Sequence, residues 1–285
     1  MKLLLACLML AIRGSFPQKL LDPNCVESPS GEQIYGGENA DLLRHPWMVQ
    51  IIQAGYHMCG GSLITSQFIL TAAHCNSQLP IKVLLGGHIR GNPQYTCTEL
   101  QCKLISKEID VADMFVHPHY LEYHQHDIAL ILMAESVLFN AHIRPICMMQ
   151  SSDVKRHSHS LRYVKEFKVT GWGKTESSES SSRLILAYLY HLDRKFCSER
   201  FMRTIGWPHI CAYNRLSSTC IGDSGGPLSA EMTWSGKKRP FLFGLTSYGA
   251  LGCLGPTVFT NVLPYTDWIE DTIQKHFQRT AILFV

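Results

Sequence analysis

Short apolar runs bounded by Gly, Pro, Asn and Ser most limit the folds open to this chain: 48–53, 68–72, 81–85, 128–133, 167–170, 241–247 and 257–262. Several such runs in succession, each ended by turn formers, predict an all-β barrel or sandwich, and periodicity alone does not choose between them. From Pro264 to Phe277 the pattern changes. Trp268, Ile269, Ile273 and Phe277 fall close to helical spacing, and Pro264 suits a helix start, so a C-terminal helix packed on the β body is expected. With 285 residues, 46% hydrophobic and 17% charged, the chain can bury a sizeable core and is not a disordered polymer. Its net charge of +3 comes from scattered basic residues, which gives no footprint for nucleic acid.

Met1 and Lys2 precede an apolar run, 3–12, too short to span a bilayer and suited to a secretory signal, with residues 1–15 as the leader. No later stretch has the length of a membrane anchor, so a secreted, extracellular protein is expected. Cys7 falls in the leader. The ten cysteines that remain are an even number, as an oxidising compartment favours. Spacing alone does not pair them, and no CxxC pair suggests metal ligands, so neither a metal nor another cofactor is expected.

The chemistry concentrates in Gly222-Asp223-Ser224-Gly225-Gly226-Pro227. Glycines on both sides of Ser224 allow a tight turn and close backbone approach, so the amides of Gly222 and Ser224 can converge on one oxygen. A serine hydroxyl needs a base and a group to hold that base. Leu70-Thr71-Ala72-Ala73-His74-Cys75 offers the histidine, and His126-Asp127-Ile128-Ala129-Leu130-Ile131 a carboxylate at the head of an apolar run. Together with Ile34-Tyr35-Gly36-Gly37, Cys59-Gly60-Gly61-Ser62-Leu63-Ile64, Val169-Thr170-Gly171-Trp172-Gly173 and Ser247-Tyr248-Gly249, these motifs give the chain its resemblance, over about 34–277, to the chymotrypsin/trypsin-like serine endopeptidases, secreted insect cascade proteases among them.

The resemblance implies two six-stranded antiparallel β-barrels with the site in the cleft between them, His74 and Asp127 on the first and Ser224 on the second. His74 takes the Ser224 proton and returns it to the leaving amine, Asp127 fixes the imidazole, and the amides of Gly222 and Ser224 form the oxyanion hole. Ser247 supports the aspartate. Ser247, Tyr248 and Gly249 form the strand that pairs with substrate backbone. The implied disulfides are Cys25–Cys147, Cys59–Cys75, Cys197–Cys211 and Cys220–Cys253, with Cys97 and Cys102 left to each other. A loop as short as that closed by Cys59–Cys75 is typically held by roughly 3 kcal/mol.

The family also implies a zymogen: a pro-segment, 16–33, tethered by Cys25, and a cut that frees the Ile34 amine to pair with Asp223. Gln33 departs from the basic residue expected before that cut, and Tyr35 from the usual valine. Ser218 stands where a trypsin-like pocket carries aspartate, with Thr219 beside it. Gly249 keeps one pocket wall open, and Thr257 replaces the other wall's glycine. A neutral floor predicts small to medium apolar side chains ahead of Lys and Arg. Gly87 stands where calcium-binding relatives place glutamate, which argues against Ca²⁺. The expected partners are a protein or peptide substrate, an activating protease and a protein protease inhibitor, for a monomer with no nucleic acid or membrane to bind. A second reading stays open because of Gln33: a catalytically silent binding or regulatory protein kept as an uncleaved zymogen.

Other segments carry less. The Ser-rich stretch 177–182 reads as an exposed loop, and Lys155-Arg156-His157-Ser158-His159 as a solvated one. The tail 278–285 either docks on the body or extends free. There is no internal repeat and no N-x-S/T sequon.

Overall fold

The computed structural model of the chain describes residues 20–28, 38–39, 42–87, 89, 95–97, 102–121, 124–157, 160–174, 181–215, 219 and 222–282. The short apolar runs close into barrels, not into a sandwich. The first barrel comprises β1 (Met48–Gln53), β2 (Tyr56–Leu63), β3 (Phe68–Thr71), β4 (Ile81–Leu85), β5 (Lys107–Val116) and β6 (Ala129–Met133). Its order is β1-β2-β3-β6-β5-β4, closed by pairing of β1 with β4. Closure removes the edges on which such apolar strands would otherwise pair with other chains.

The second barrel comprises β7 (Glu166–Gly171), β8 (Ile185–Leu192), β9 (His209–Tyr213), β10 (Pro227–Trp234), β11 (Lys237–Gly249) and β12 (Thr257–Asn261). Going round from β7 its order is β7-β8-β9-β12-β11-β10, the same cyclic topology as the first, although the sequence shows no repeat. The short strand Glu38–Asn39 adds to β8, with Asn39 opposite Ile185. Each barrel has its own core. Phe68, Ile51, Leu63 and Ile131 lie in the first, and Phe167, Phe243, Phe259 and Trp234 in the second.

Several strands carry no clear apolar run. β5 has the exposed residues Glu108, Asp110, Ala112 and Asp113, so its hydrophobic signal is thin. β11 extends well beyond 241–247 because its polar start, Lys237 to Arg239, pairs with the end of β10.

The C-terminal helix, α1 (Thr266–Ile282), follows a tight turn containing Pro264. It leaves the second barrel but buries Ile269 and Ile273 in the core of the first, and Phe68 meets the rings of His276 and Phe277 edge-on. The segment from Gln278, read from the sequence as a tail, is helical as far as Ile282.

Residues 20–28 lie along the second barrel. Cys25 is bonded to Cys147, the Val26 amide donates to Pro145 at 2.9 Å, and Arg239 donates to Glu27 at 2.6 Å and to the Cys25 carbonyl at 2.7 Å. Cys59–Cys75 and Cys197–Cys211 are also bonded. Cys253 is in a disulfide, while Cys220 lies outside the described residues. Cys97 and Cys102 are Cα partners in the pairing of the short strands Tyr95–Cys97 and Cys102–Leu104. No helix of the described residues is long and apolar enough to cross a membrane.

Candidate active site

His74 lies in a tight turn, Ala73–Cys75, just after β3. The Cys59–Cys75 bond staples this turn to β2, so the imidazole is presented from a covalently fixed loop. Asp127 stands just before β6 and is fully buried. It holds His74 twice: Oδ1 accepts the backbone amide at 2.9 Å, and Oδ2 lies 2.7 Å from Nδ1. Two side chains of the second barrel complete the cage. Ser247 Oγ donates to Asp127 Oδ2 at 2.5 Å, and Thr260 Oγ1 donates to the Asp127 carbonyl at 2.9 Å. Burial alone pushes the Asp127 carboxyl up, but hydrogen bonds from His124 and His74, the His74 charge and the Ser247 hydroxyl hold it well below the usual carboxylate range. It stays ionised, as a group that must orient and offset an imidazolium requires.

Ser224 arrives from the other barrel, in the turn before β10. Gly222 and Gly225, with φ of +95° and +73°, adopt a left-handed backbone that favours glycine. The turn docks on the first barrel: the Gly60 amide donates to the Ser224 carbonyl at 2.8 Å. A Cβ at Gly225 would come 2.7 Å from the Gly60 carbonyl oxygen and 3.0 Å from the Ala72 amide. Ser224 is thus set against the segment Thr71–Ala72 that leads directly into His74. The same turn is tied to its own barrel through Gly225 N to Thr246 O at 2.8 Å and Thr246 N to Gly226 O at 2.9 Å.

A family model described as Trypsin matches residues 34–269. The chain belongs to the trypsin family. Among relatives of this trypsin-family serine endopeptidase, the "Serine protease grass" of Drosophila melanogaster is 32% identical over 263 residues, covering 86% of this chain and 69% of its own. The "CLIP domain-containing serine protease B4" of Anopheles gambiae is 31% identical over 300 residues, covering 95% of this chain and 78% of its own. The crystal structure of the Drosophila Grass clip serine protease of the Toll pathway superposes with a TM-score of 0.75 at 30% identity, covering 88% of this chain and 74% of that one.

In this trypsin-family chain two positions expected from the sequence to line a pocket sit on neighbouring strands. Gly249 of β11 is in register with Thr257 of β12, and a Cβ on Gly249 would meet Thr257 Oγ1 at 3.4 Å. Thr257 is buried, and its hydroxyl is 2.7 Å from that of Thr219, also buried. The two threonine hydroxyls hydrogen-bond to each other and bring no charge to this spot. Ser218 and Ile34 lie outside the described residues. Asp223 packs on the Gly171-Trp172-Gly173 motif and accepts the Gly173 amide at 2.8 Å.

Three residues escaped sequence reasoning. His57 Nε2 lies 2.8 Å from the Gly222 carbonyl and its ring meets Trp172 edge-on, which steadies the turn holding Ser224. A bulge in β2 lets His57 pair with Ile52 while Cys59 pairs with the adjacent Ile51. His124 is the second imidazole on the catalytic-type carboxylate, its Nδ1 3.1 Å from Asp127 Oδ2. Arg203 lies over the Tyr248 ring, 5.2 Å from its centroid, beside a cavity of about 290 Å³ lined by His124, Phe201, Arg203 and Tyr248. The one sequence signal for His124 was the density of histidines before Asp127: His117, His119, His124 and His126.

Proposed function

We propose that the chain is a secreted serine endopeptidase zymogen that, once cut before Ile34, hydrolyses protein substrates through an acyl-enzyme. The observation that carries this reading is the double grip of buried Asp127 on His74, with the Ser224 turn docked on the segment leading into His74. In the proposed reaction Ser224 attacks the scissile carbonyl while His74 takes its proton at Nε2. The Asp127 bond to Nδ1 fixes that tautomer, and the amides of Gly222 and Ser224 hold the developing oxyanion. His74 then protonates the leaving amine, and water releases the acyl group by the reverse route.

Activation by a free Ile34 amine on Asp223 fits the path of the backbone. Asn39 pairs with Ile185, which pairs with Gly171, and Gly171 abuts Asp223. The five residues back from Asn39 to Ile34 can span up to about 17 Å, ample for that approach. The pro-segment 16–33 would stay attached through Cys25–Cys147. The neutral wall of Thr219 and Thr257, with Ser218, suits an uncharged residue on the acyl side of the cut. Relatives with names such as "Melanization protease 1" and "Phenoloxidase-activating factor 1" support a place among proteases that act in cascades, with an activating protease upstream.

The test is labelling by an organofluorophosphate after cleavage before Ile34. The cleaved protein is expected to label at Ser224, and Ser224→Ala is expected to take up nothing. Cleaved protein with a free Ile34 amine that stays unlabelled would favour the silent, protease-fold binding protein instead.

A further inference from the structure

Asp127 Oδ2 is the meeting point of two imidazoles. His74 Nδ1 lies 2.7 Å and His124 Nδ1 3.1 Å from it, and the two rings meet edge-on with centroids 5.1 Å apart. One ligand atom from each of His74, His124 and Asp127 falls within 4.8 Å of the others. The set is half-open: the carboxylate is fully buried, while the His74 and His124 side chains are 20% and 33% exposed. His124 also lines the cavity of about 290 Å³ beside Tyr248, so its ring borders open space. Its backbone, at φ +60°, is left-handed, a conformation that disfavours a residue with a Cβ. The loop holds His124 on Asp127 against that preference.

We propose that His74, His124 and Asp127 form a binding site for a divalent transition metal ion of the zinc type, and that its occupation switches the catalytic base off. Two imidazole nitrogens and one carboxylate oxygen, with water in the fourth position, are a donor set that Zn²⁺ takes tetrahedrally. Bond lengths near 2.1 Å put tetrahedral donors about 3.4 Å apart, so His74 Nδ1 needs to draw back from Oδ2 by about 0.7 Å and His124 Nδ1 by about 0.3 Å. The ion takes the place of two N–H bonds aimed at one oxygen. Each neutral imidazole that coordinates through Nδ1 carries its proton on Nε2, so binding breaks two hydrogen bonds, forms three coordinate bonds and needs no net loss of protons. With its proton on Nε2, His74 has no lone pair there to accept the Ser224 proton. The loss of activity rests on the catalytic roles proposed above, whereas the binding of the ion does not. No metal was expected from the sequence, where the absence of a CxxC pair argued against one; His74 and His124 lie far apart along the chain and meet on Asp127.

The full-length Ser224→Ala protein, freed of metal by chelation, is titrated with ZnCl₂ by calorimetry, with and without His124→Gln. His124→Gln is expected to weaken binding by more than about tenfold; equal affinity in the two proteins places the ion elsewhere and overturns the proposal. Should His124→Gln fold poorly by circular dichroism, nitrogen NMR of the histidine-labelled Ser224→Ala protein decides. Zinc is then expected to shift the Nδ1 signals of His74 and His124, and shifts confined to other histidines overturn the site. Fluorophosphate labelling of the cleaved wild type separates the two readings. Zinc that binds here and blocks labelling, with recovery on chelation, supports both; zinc that binds here and leaves labelling intact keeps the site but sinks the role of His74 as base; labelling with no binding sinks the site alone.

Discussion

The amide of Gly173 donates to the carboxylate of Asp223 at 2.8 Å, and the carboxylate occupies the space that a side chain at position 173 would fill. An ideal Cβ on Gly173 would lie 2.5 Å from Asp223 Cγ, and one on Gly171 2.9 Å from it. The two glycines around Trp172 are therefore the floor on which Asp223 rests. Gly173→Ala is predicted to displace Asp223 and with it the adjoining Ser224. The overpacking should cost about 1–3 kcal/mol of stability. The loss of kcat/KM should be much larger, roughly 100-fold, since a 1 Å misplacement at the reacting centre has that effect. Activity within a few-fold of the wild type, measured on cleaved protein, would show that the Asp223 position does not govern Ser224.

Activation is predicted to depend on the residue before the proposed cut. Trypsin is predicted not to activate the wild type cleanly, because Gln33 offers no basic side chain, whereas Gln33→Arg should become trypsin-activatable without further change. Asp223→Ala should remain nearly inactive even when cleaved, because the new amine then has no partner and a buried unpaired charge typically costs about 3–5 kcal/mol. Equal activation of wild type and Gln33→Arg by trypsin sinks the first half; an active, cleaved Asp223→Ala sinks the second.

Ser247 supports Asp127 by a hydrogen bond of 2.5 Å in a fully buried site. Bonds to charged groups are worth about 1.5–3 kcal/mol, so Ser247→Ala should lower kcat by roughly 10- to 100-fold. KM should move little, since the hydroxyl points to the carboxylate. A KM effect with kcat unchanged would assign Ser247 to substrate binding alone.

The proposed pocket wall is predicted to set a preference that substitution can move. The Thr219–Thr257 hydroxyl pair leaves no anion in the described part of the wall, so a peptide library should favour Ala, Val, Leu or Met over Lys and Arg before the cut. Each methylene of fit is worth only about 1–3 kcal/mol, so the preference should be broad. Thr257→Gly should open the space facing Gly249 and shift the profile toward Phe and Tyr, while Ser218→Asp alone should not yield a good trypsin. A wild-type profile dominated by Arg or Lys refutes this reading of the pocket.

Acid should weaken the fold in one defined window. His117 stacks on His126 at 5.2 Å and packs on Tyr265 and Trp268, and burial, then His126 and His119, lower its pKa to about 4. A histidine depressed in the folded state binds more protons when unfolded, so its contribution is complete above about 6.5 and is lost as pH falls toward 4. Thermal unfolding followed from pH 7 to pH 4 should therefore fall less steeply for His117→Phe than for the wild type. Parallel slopes would remove His117 as a source of acid sensitivity.

Local chemistry was legible in the residues themselves. The strands at 48–53 and 81–85 stand where the apolar runs put them, because a short run ended by turn formers has little choice but a buried strand. The Ser224 turn, the Asp127 position ahead of β6 and the C-terminal helix were legible for the same reason: glycine, burial and helical spacing act over a few residues. β5 was not, since its exposed charges hide a strand whose neighbours supply the burial. The likeness of the two barrels was not either, because topology constrains backbone pairing and leaves side chains free to diverge.

Which groups come to share one atom was settled by packing in three dimensions. The motifs along the chain pointed to His74, Asp127 and Ser224 and to the turn around the serine. Closure of the barrels and their docking brought Ser247 and Thr260 onto Asp127, His57 onto the Gly222 carbonyl and His124 onto the oxygen that His74 already holds. All but the His124 contact, which spans three residues, join residues far apart along the chain, and all are hydrogen bonds that act over about 3 Å and leave no periodicity behind. Composition and spacing are blind to them, and folding alone determines them.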